Sequence, residues 1–492
     1  MCWSGAVVLL CGVVVACLFG RFGLSYLFKA AGDQQRLQGQ AKLALQSYND
    51  ALRFNPRNSM ALNNRGLVYW EQGDNERAIT DFDLAITLQP DDATAIYNRG
   101  LAEQSNGDQS AALADWKRAL ELSPRFAKVH VAIGRAKLNL RDWAGAKAEY
   151  DQAISIDDQL ADAYRERIVA EALLHDWTAE IKDCDRLLQL NPNFVGAYLS
   201  RGSAENVLKL DAAALADLNK YLSSVPESAT AHENRALVEW REDDYETSIA
   251  DWERLVQINP NSLSGYYWMG RCRLKTGDFT GALADFDQAL KRQPHHLGTL
   301  VGHGLAERES GDYHAAEADY NQAMSLYPKS PDPYLERGWL KVVEKDFSGA
   351  QQDFETALTL SPTNPAIFRS LGFADYTLAD YPRAEANFEA AISQKDLYAA
   401  LLLWVTQRRI DDPVLADSTL EKALQYAPWT GKLEWYATIA RALLSKQPGD
   451  ADLFAKAGRG AHTLEAPGEA LRGFLFHGRA PFAQRRAGRG EA

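Results

Sequence analysis

The sequence predicts an all-α solenoid of stacked helix pairs, and three recurrences carry that expectation. Prolines fall at Pro56, Pro90, Pro124, Pro192, Pro226, Pro260, Pro294, Pro328 and Pro362, on a lattice of 34 residues whose two empty nodes hold Asp158 and Asp396. They close short apolar helical segments, as in Leu-Gln-Pro90 and Ile-Asn-Pro260, and act as helix stops. Twenty-four residues before nine of the eleven lattice nodes a glycine recurs, at Gly32, Gly66, Gly100, Gly134, Gly202, Gly270, Gly304, Gly338 and Gly372. A residue without a side chain lets two helices approach closely. Twelve residues before the stop stands a small residue such as Ala44, Ala78 or Ala350, and four further on an aromatic such as Tyr48, Phe82, Trp116 or Phe354. These are the holes and knobs of an antiparallel helix pair.

The full motif is written out by Leu62, Gly66, Tyr69, Ala78, Phe82, Ala85 and Pro90. In period and motif it resembles the tetratricopeptide repeat (TPR) family, over residues 25–398 as about eleven repeats. The resemblance implies a right-handed superhelical α-solenoid of helix-turn-helix pairs. The first helix of each pair would line the concave face and the second the outside, and the groove would receive an extended peptide or a helix.

Ahead of the repeats, residues 1–24 read as a hydrophobic anchor or signal segment. Met1 to Gly20 carries no charged side chain, and Arg21 separates it from a second apolar run, Phe22 to Phe28. That length suits a membrane span or the apolar region of a signal peptide. The expectation is a transmembrane helix and a membrane-anchored protein, in the bacterial inner membrane rather than as a lipoprotein. The runner-up is a lipoprotein signal, in which Val14-Val15-Ala16-Cys17 resembles a lipobox and Cys17 would be acylated. The third is a buried helix capping the solenoid. Arg21, Lys29 and Arg36 all follow the apolar run, so the repeats would face the cytoplasm by the positive-inside tendency, although the side stays open.

A chain of 492 residues is long for one compact core, but a solenoid grows by stacking. The 53 basic and 66 acidic residues give a net charge of -13, which opposes a nucleic-acid partner. Of five cysteines, Cys2, Cys11 and Cys17 lie in the apolar N-terminus, and Cys184 takes a slot that holds an aromatic in other repeats. Neither a disulfide framework nor a metal spacing emerges. No nucleotide loop, nucleophile elbow, kinase signature or dinucleotide fingerprint sits in a fitting context, so no enzyme, cofactor or metal is expected.

On the concave positions that the resemblance implies, the repeats place Trp70, Tyr97, Trp240, Tyr267, Trp339, Phe373 and Tyr376, interspersed with Arg135, Arg165, Arg271, Arg308 and Arg369. Aromatic and arginine anchors are the usual hot-spot chemistry of a protein interface. Aromatics at helical spacing also pack against neighbours, so each carries both readings.

Arginine precedes the recurrent glycine or its equivalent at Arg65, Arg99, Arg167, Arg201, Arg235 and Arg337. Sixteen residues later stand Asp81, Asp115, Asp183, Asp217, Asp251 and Asp353. We read these as an intrachain ladder of guanidinium–carboxylate pairs. Where Ile133, Met269 or Leu371 replaces the arginine, the later position holds Glu149, Asp285 or Asn387. Aspartates recur at the turns, from Asp74 and Asp108 to Asp346 and Asp380, one or two per turn, which suits helix capping rather than calcium. His295, His296, His303 and His314 form the one histidine concentration and lack a metal-site pattern.

Residues 399–457 read as a helical C-terminal capping region, loosely like the closing region of bacterial TPR proteins, including TPR lipoproteins. Residues 458–492 form a basic Arg/Gly/Ala-rich tail, disordered or translated out of frame. The leading functional expectation is a non-enzymatic, membrane-tethered scaffold or adaptor that gathers protein partners in its concave groove. Two alternatives stand beside it: an accessory subunit of an envelope biosynthesis or export machine, and a binder of small ligands or glycans.

Overall fold

The computed structural model describes residues 3–394, 396, 398–410, 412–425, 440, 441 and 444, with side chains from residue 20 onward. Among the described residues it is all-α, with 24 helices that pair consecutively in antiparallel fashion. The chain divides into two units, Met1–Asn259 and Pro260–Ala492. The expected tail from residue 458, the cap beyond Gln425 apart from residues 440, 441 and 444, and the side chain of Cys17 lie outside the described residues.

The first unit holds α1 (Trp3–Leu37), α2 (Ala41–Phe54), α3 (Ser59–Glu71), α4 (Asn75–Leu88), α5 (Ala93–Ser105), α6 (Gln109–Leu122) and α7 (Ala127–Asn139). It continues with α8 (Trp143–Ile156), α9 (Ala161–Leu173), α10 (Trp177–Leu190), α11 (Val195–Val207), α12 (Asp211–Ser224), α13 (Ala229–Arg241) and α14 (Tyr245–Ile258). The second unit opens with α15 (Leu263–Thr276), α16 (Phe279–Arg292), α17 (Leu297–Ser310), α18 (Tyr313–Leu326) and α19 (Asp332–Val343). It is completed by α20 (Phe347–Leu360), α21 (Pro365–Thr377), α22 (Tyr381–Ser393), α23 (Tyr398–Arg409) and α24 (Pro413–Gln425).

Eight of the recurrent turn aspartates are side-chain caps. Asp74, Asp108, Asp142 and Asp176 each accept from the N–H three residues on, as do Asp278, Asp312, Asp346 and Asp380. One of the free donors at each helix start is thereby satisfied.

Within a pair the closeness of approach is set by the glycine. A Cβ at Gly66 would stand 2.8 Å from the Phe82 ring, at Gly134 2.4 Å from Tyr150, and at Gly338 2.4 Å from Phe354. The fifth pair solves the same packing problem with sizes exchanged. Ile168 stands in the glycine slot and Cys184 in the aromatic one, both buried in a cluster with Tyr164, Leu187 and Ala197.

The arginine–aspartate ladder is present and has more arms than sequence spacing shows. Each of Arg65, Arg99, Arg167, Arg201, Arg235 and Arg337 donates from Nε and Nη2 to both oxygens of the aspartate sixteen residues on, at 2.5 to 2.9 Å. Nη1 reaches back to the preceding second helix, to Asn49, Asp83, Asp151, Asp185, Asn219 or Asn321. One guanidinium thus ties its own pair together and to the pair before. At two of the sites without the arginine, the cation sits one helical turn later: Lys137 bonds Glu149 at 2.7 Å and Arg273 bonds Asp285 at 2.5 Å.

The expected transmembrane helix and membrane anchoring are overturned, because among the described residues no helix is long and apolar enough to cross a membrane. The backbone leaves helical geometry at Gly20, with φ 60° and ψ -152°. Beyond Gly20, α1 is the first helix of a pair. Phe28 stacks on Phe54 at 5.6 Å, and the Tyr48 hydroxyl donates to Asp33 at 2.8 Å.

Candidate functional site

First and second helices have different neighbours. Besides their partners and the helices before them, most first helices touch the first helix of the next pair, as α3 does α5, α7 does α9 and α11 does α13 in the first unit. In the second unit α15, α17, α19 and α21 do the same along their row. Second helices make no contact of that extent with one another among the described residues. Within each unit the row of first helices is therefore the more tightly gathered side, which is the inner side of a curved stack.

All twelve sequence-predicted residues lie on first helices. Trp70 is on α3, Tyr97 on α5, Arg135 on α7, Arg165 on α9 and Trp240 on α13; Tyr267 and Arg271 are on α15, Arg308 on α17, Trp339 on α19, and Arg369, Phe373 and Tyr376 on α21. Their surroundings differ sharply.

Most of the aromatics are held by neighbouring pairs. Trp70 Nε1 donates to Ser105 Oγ at 2.9 Å, Tyr97 packs on Phe126 at 5.1 Å, and Trp339 lies between Phe354 and Phe373 at 5.7 and 5.6 Å. Phe373 is buried. Trp240 meets Tyr245 edge-on at 5.1 Å, and Tyr376 meets Tyr381 edge-on at 5.7 Å. Burial pushes the Tyr97 phenol above its ordinary value, the Arg135 charge opposing.

The arginines fall into two groups. Arg308 bonds Glu336 on α19 at 2.9 Å and keeps only 14% of its side chain exposed, and Arg369 bonds Asp396 and lies over the Tyr398 ring at 5.5 Å. Both join consecutive pairs. By contrast Arg135 and Arg165 are 39% and 43% exposed and converge on one carboxylate, Glu166 Oε1, at 3.0 and 3.1 Å. Glu166 is the residue sequence reasoning missed; its only signal is an acid directly after a candidate arginine. Arg271 stands over two rings, Tyr267 at 5.7 Å and Trp268 at 5.3 Å, and donates to the Tyr267 hydroxyl at 2.8 Å. Trp268 was legible as the end of the run Tyr266-Tyr267-Trp268.

The histidine concentration resolves into separate roles. His296 caps α17 by accepting from the Thr299 N–H at 3.2 Å. His303 faces Glu307 and Asp319, the three bringing side-chain atoms within 4.8 Å of one another. His303 occupies the ladder's arginine slot, so the cluster reads as a rung rather than as a metal centre. Cys184 and Cys272 are buried.

Two family models, both described as tetratricopeptide repeat, match the chain: one over residues 66–132, the other over 30–93, 212–263, 267–331 and 301–365. The comparison with curated proteins returned no match. Among solved structures, a tetratricopeptide repeat protein from Parabacteroides merdae is 20% identical, with 50% of this chain and 98% of that one covered and a TM-score of 0.46. Yeast Tom70 is 16% identical, covering 88% of this chain and 97% of its own, also at a TM-score of 0.46. The Cut9-Hcn1 hetero-tetramer of the APC/C gives 15% identity, 86% and 96% coverage and a TM-score of 0.40. Likenesses at this level carry no argument about binding; the two family models and the repeated helix pairs carry the assignment.

Proposed function

The chain belongs to the tetratricopeptide repeat family, a fold that serves non-catalytic, protein-binding scaffolds, and on that premise we propose that it receives a peptide or helix of a protein partner along its row of first helices. What supports this reading is the pair Arg135 and Arg165, two partly exposed guanidiniums on adjacent first helices that share the carboxylate of Glu166. Each has an acid beside it, Glu166 between the two and Asp162 3.2 Å from Arg165, yet both guanidiniums stay partly exposed and keep donors open to a partner. A partner carboxylate could then be taken up with little reorganisation, and planar bidentate recognition is what arginine does best. Tyr267, Trp268 and Arg271 offer a comparable aromatic–cation cluster in the second unit.

The test is crosslinking capture with the full chain as bait. Arg135→Glu with Arg165→Glu is compared with Lys117→Glu, an exposed change on the second helix α6. The arginine pair is a better probe than Trp70 or Trp339, because those rings hold adjacent pairs together and their loss would disturb packing. A partner lost only with the arginine variant supports the reading. Equal capture by both variants removes it.

A further inference from the structure

The ladder offers a comparison made many times within one chain, and the ninth pair, α17/α18, departs from it. Six pairs place a guanidinium in the slot; here the slot holds His303. The acids around it keep the ladder's geometry. Asp319, sixteen residues on in α18, has Oδ2 2.6 Å from His303 Nδ1, and Asp287, sixteen residues back in α16, has Oδ1 3.6 Å from Nε2. Glu307, one turn along α17, stands 3.4 Å from Nδ1. The ring is 15% exposed. Of the charges on the other packed helices, Arg273 of α15 pairs with Asp285 and Glu336 of α19 with Arg308, while Asp312 at the start of α18 bears on Glu307.

Guanidinium and imidazole differ in one decisive respect. Arginine is always a cation with five N–H donors, whereas neutral imidazole has one donor and one lone pair. A neutral His303 that donates Nδ1–H to Asp319 turns its Nε2 lone pair toward the Asp287 carboxylate, and that arm becomes repulsive. With both nitrogens protonated, the ring donates toward both helices, as the arginine does elsewhere. We propose that His303 makes the joint between the eighth and ninth pairs a pH-responsive one: its imidazolium closes the rung, and loss of one proton opens the arm to α16.

Burial of the ring pulls its proton affinity down, but the bond to Asp319 and the charges of Asp319, Glu307 and Asp287 outweigh this and leave it above the ordinary histidine value. A raised folded value means that the rung's contribution is complete below the ordinary histidine range and is lost as pH rises through the folded value. Glu307, pushed up to about 7 by burial and then by Asp319, acts in the same direction. The two contributions must therefore be separated by substitution.

The experiment is hydrogen–deuterium exchange of the full chain from pH 6 to 9, corrected for intrinsic rates and read in peptides from α16 to α18. In the wild type, protection should fall as pH rises, by about tenfold per pH unit of displacement of the histidine value. His303→Arg, which restores a motif the chain uses six times, should be flat and protected throughout. His303→Gln should be weakly protected throughout, and Glu307→Gln should keep the step. No step in the wild type overturns the proposal. So does a step that survives His303→Arg or vanishes in Glu307→Gln, since Glu307 would then be the titrating group. A step removed by EDTA and restored by zinc also overturns it, because a metal ion rather than a proton would be closing the rung.

Discussion

Arg167 and Asp183, sixteen residues apart, are joined by two parallel bonds, Nε to Oδ2 at 2.6 Å and Nη2 to Oδ1 at 2.7 Å, while Nη1 of the same arginine holds Asp151 of the preceding pair at 2.5 Å. A single side chain thus sets both the closure of its own pair and the stacking of that pair on its neighbour. Asp183 is 5% exposed, and that guanidinium bonds both of its oxygens.

Replacing Arg167 by Leu strands that carboxylate. We expect a local loss of about 2–3 kcal/mol, below the cost for a fully buried pair because the arginine is partly exposed. Asp183→Asn, which keeps a polar acceptor, should cost less. Exchange protection in α8 to α10 measures both, since stability in a stacked repeat is a local quantity.

The glycine slot makes an ordered prediction. Gly134→Ala sets a methyl 2.4 Å from Tyr150, whereas Gly202→Ala meets Leu218 at 3.0 Å. Overpacking of the first kind costs about 1–3 kcal/mol, and the second should cost clearly less. Thermal or urea denaturation of the two variants gives the order directly.

Exchanged sizes in the fifth pair predict rescue. Cys184→Phe alone should destabilise by about 1–3 kcal/mol, because Ile168 already fills the space. Combined with Ile168→Gly it should recover much of that loss, giving a coupling of roughly 0.5–3 kcal/mol in a double-mutant cycle. Simple additivity would mean that the two side chains do not share the space.

A further pH response belongs to the first unit. Burial, and then the charge of Asp251, push Glu239 up to about 8, although Arg235 stands 3.8 Å away, and Glu239 Oε2 is buried without a hydrogen-bond partner. An acid with a raised folded value holds its proton more tightly when folded, so stability falls as pH rises from the ordinary glutamate range through about 8. Glu239→Gln should remove that slope and leave α13 and α14 better protected at pH 8 than in the wild type. Exchange at pH 5 and 8 checks it.

Where sequence and structure part, the reason is physical. The lattice made the helix pairs legible because a glycine facing an aromatic leaves so little freedom. Arg65 to Asp81 was legible as a spacing, but its bond to Asn49 was not, although Asn49, Asp83, Asp151 and Asp185 lie on the same lattice. Pairs led by Ile133 and Met269 read as broken, because Lys137 and Arg273 supply the cation from the next turn, which only helix geometry reveals. Trp70 and Trp339 could be assigned to first helices, yet whether a ring meets a partner or its own neighbour depends on the following pair. The N-terminal run looked long enough for a membrane because Gly20 reads as one more apolar-compatible residue until its backbone is seen to leave the helix.

The central claim, that partners lie along the first helices, is tested most directly by a photo-crosslinking amino acid placed in the full chain. One chain carries it at Val169, exposed on α9 one helical turn after Arg165, another at Lys182 on the second helix α10, and both are irradiated with native partners present. The account predicts a discrete crosslinked partner from position 169 and none from position 182. Crosslinking from 182 alone would place the partner on the opposite side of the stack and contradict it.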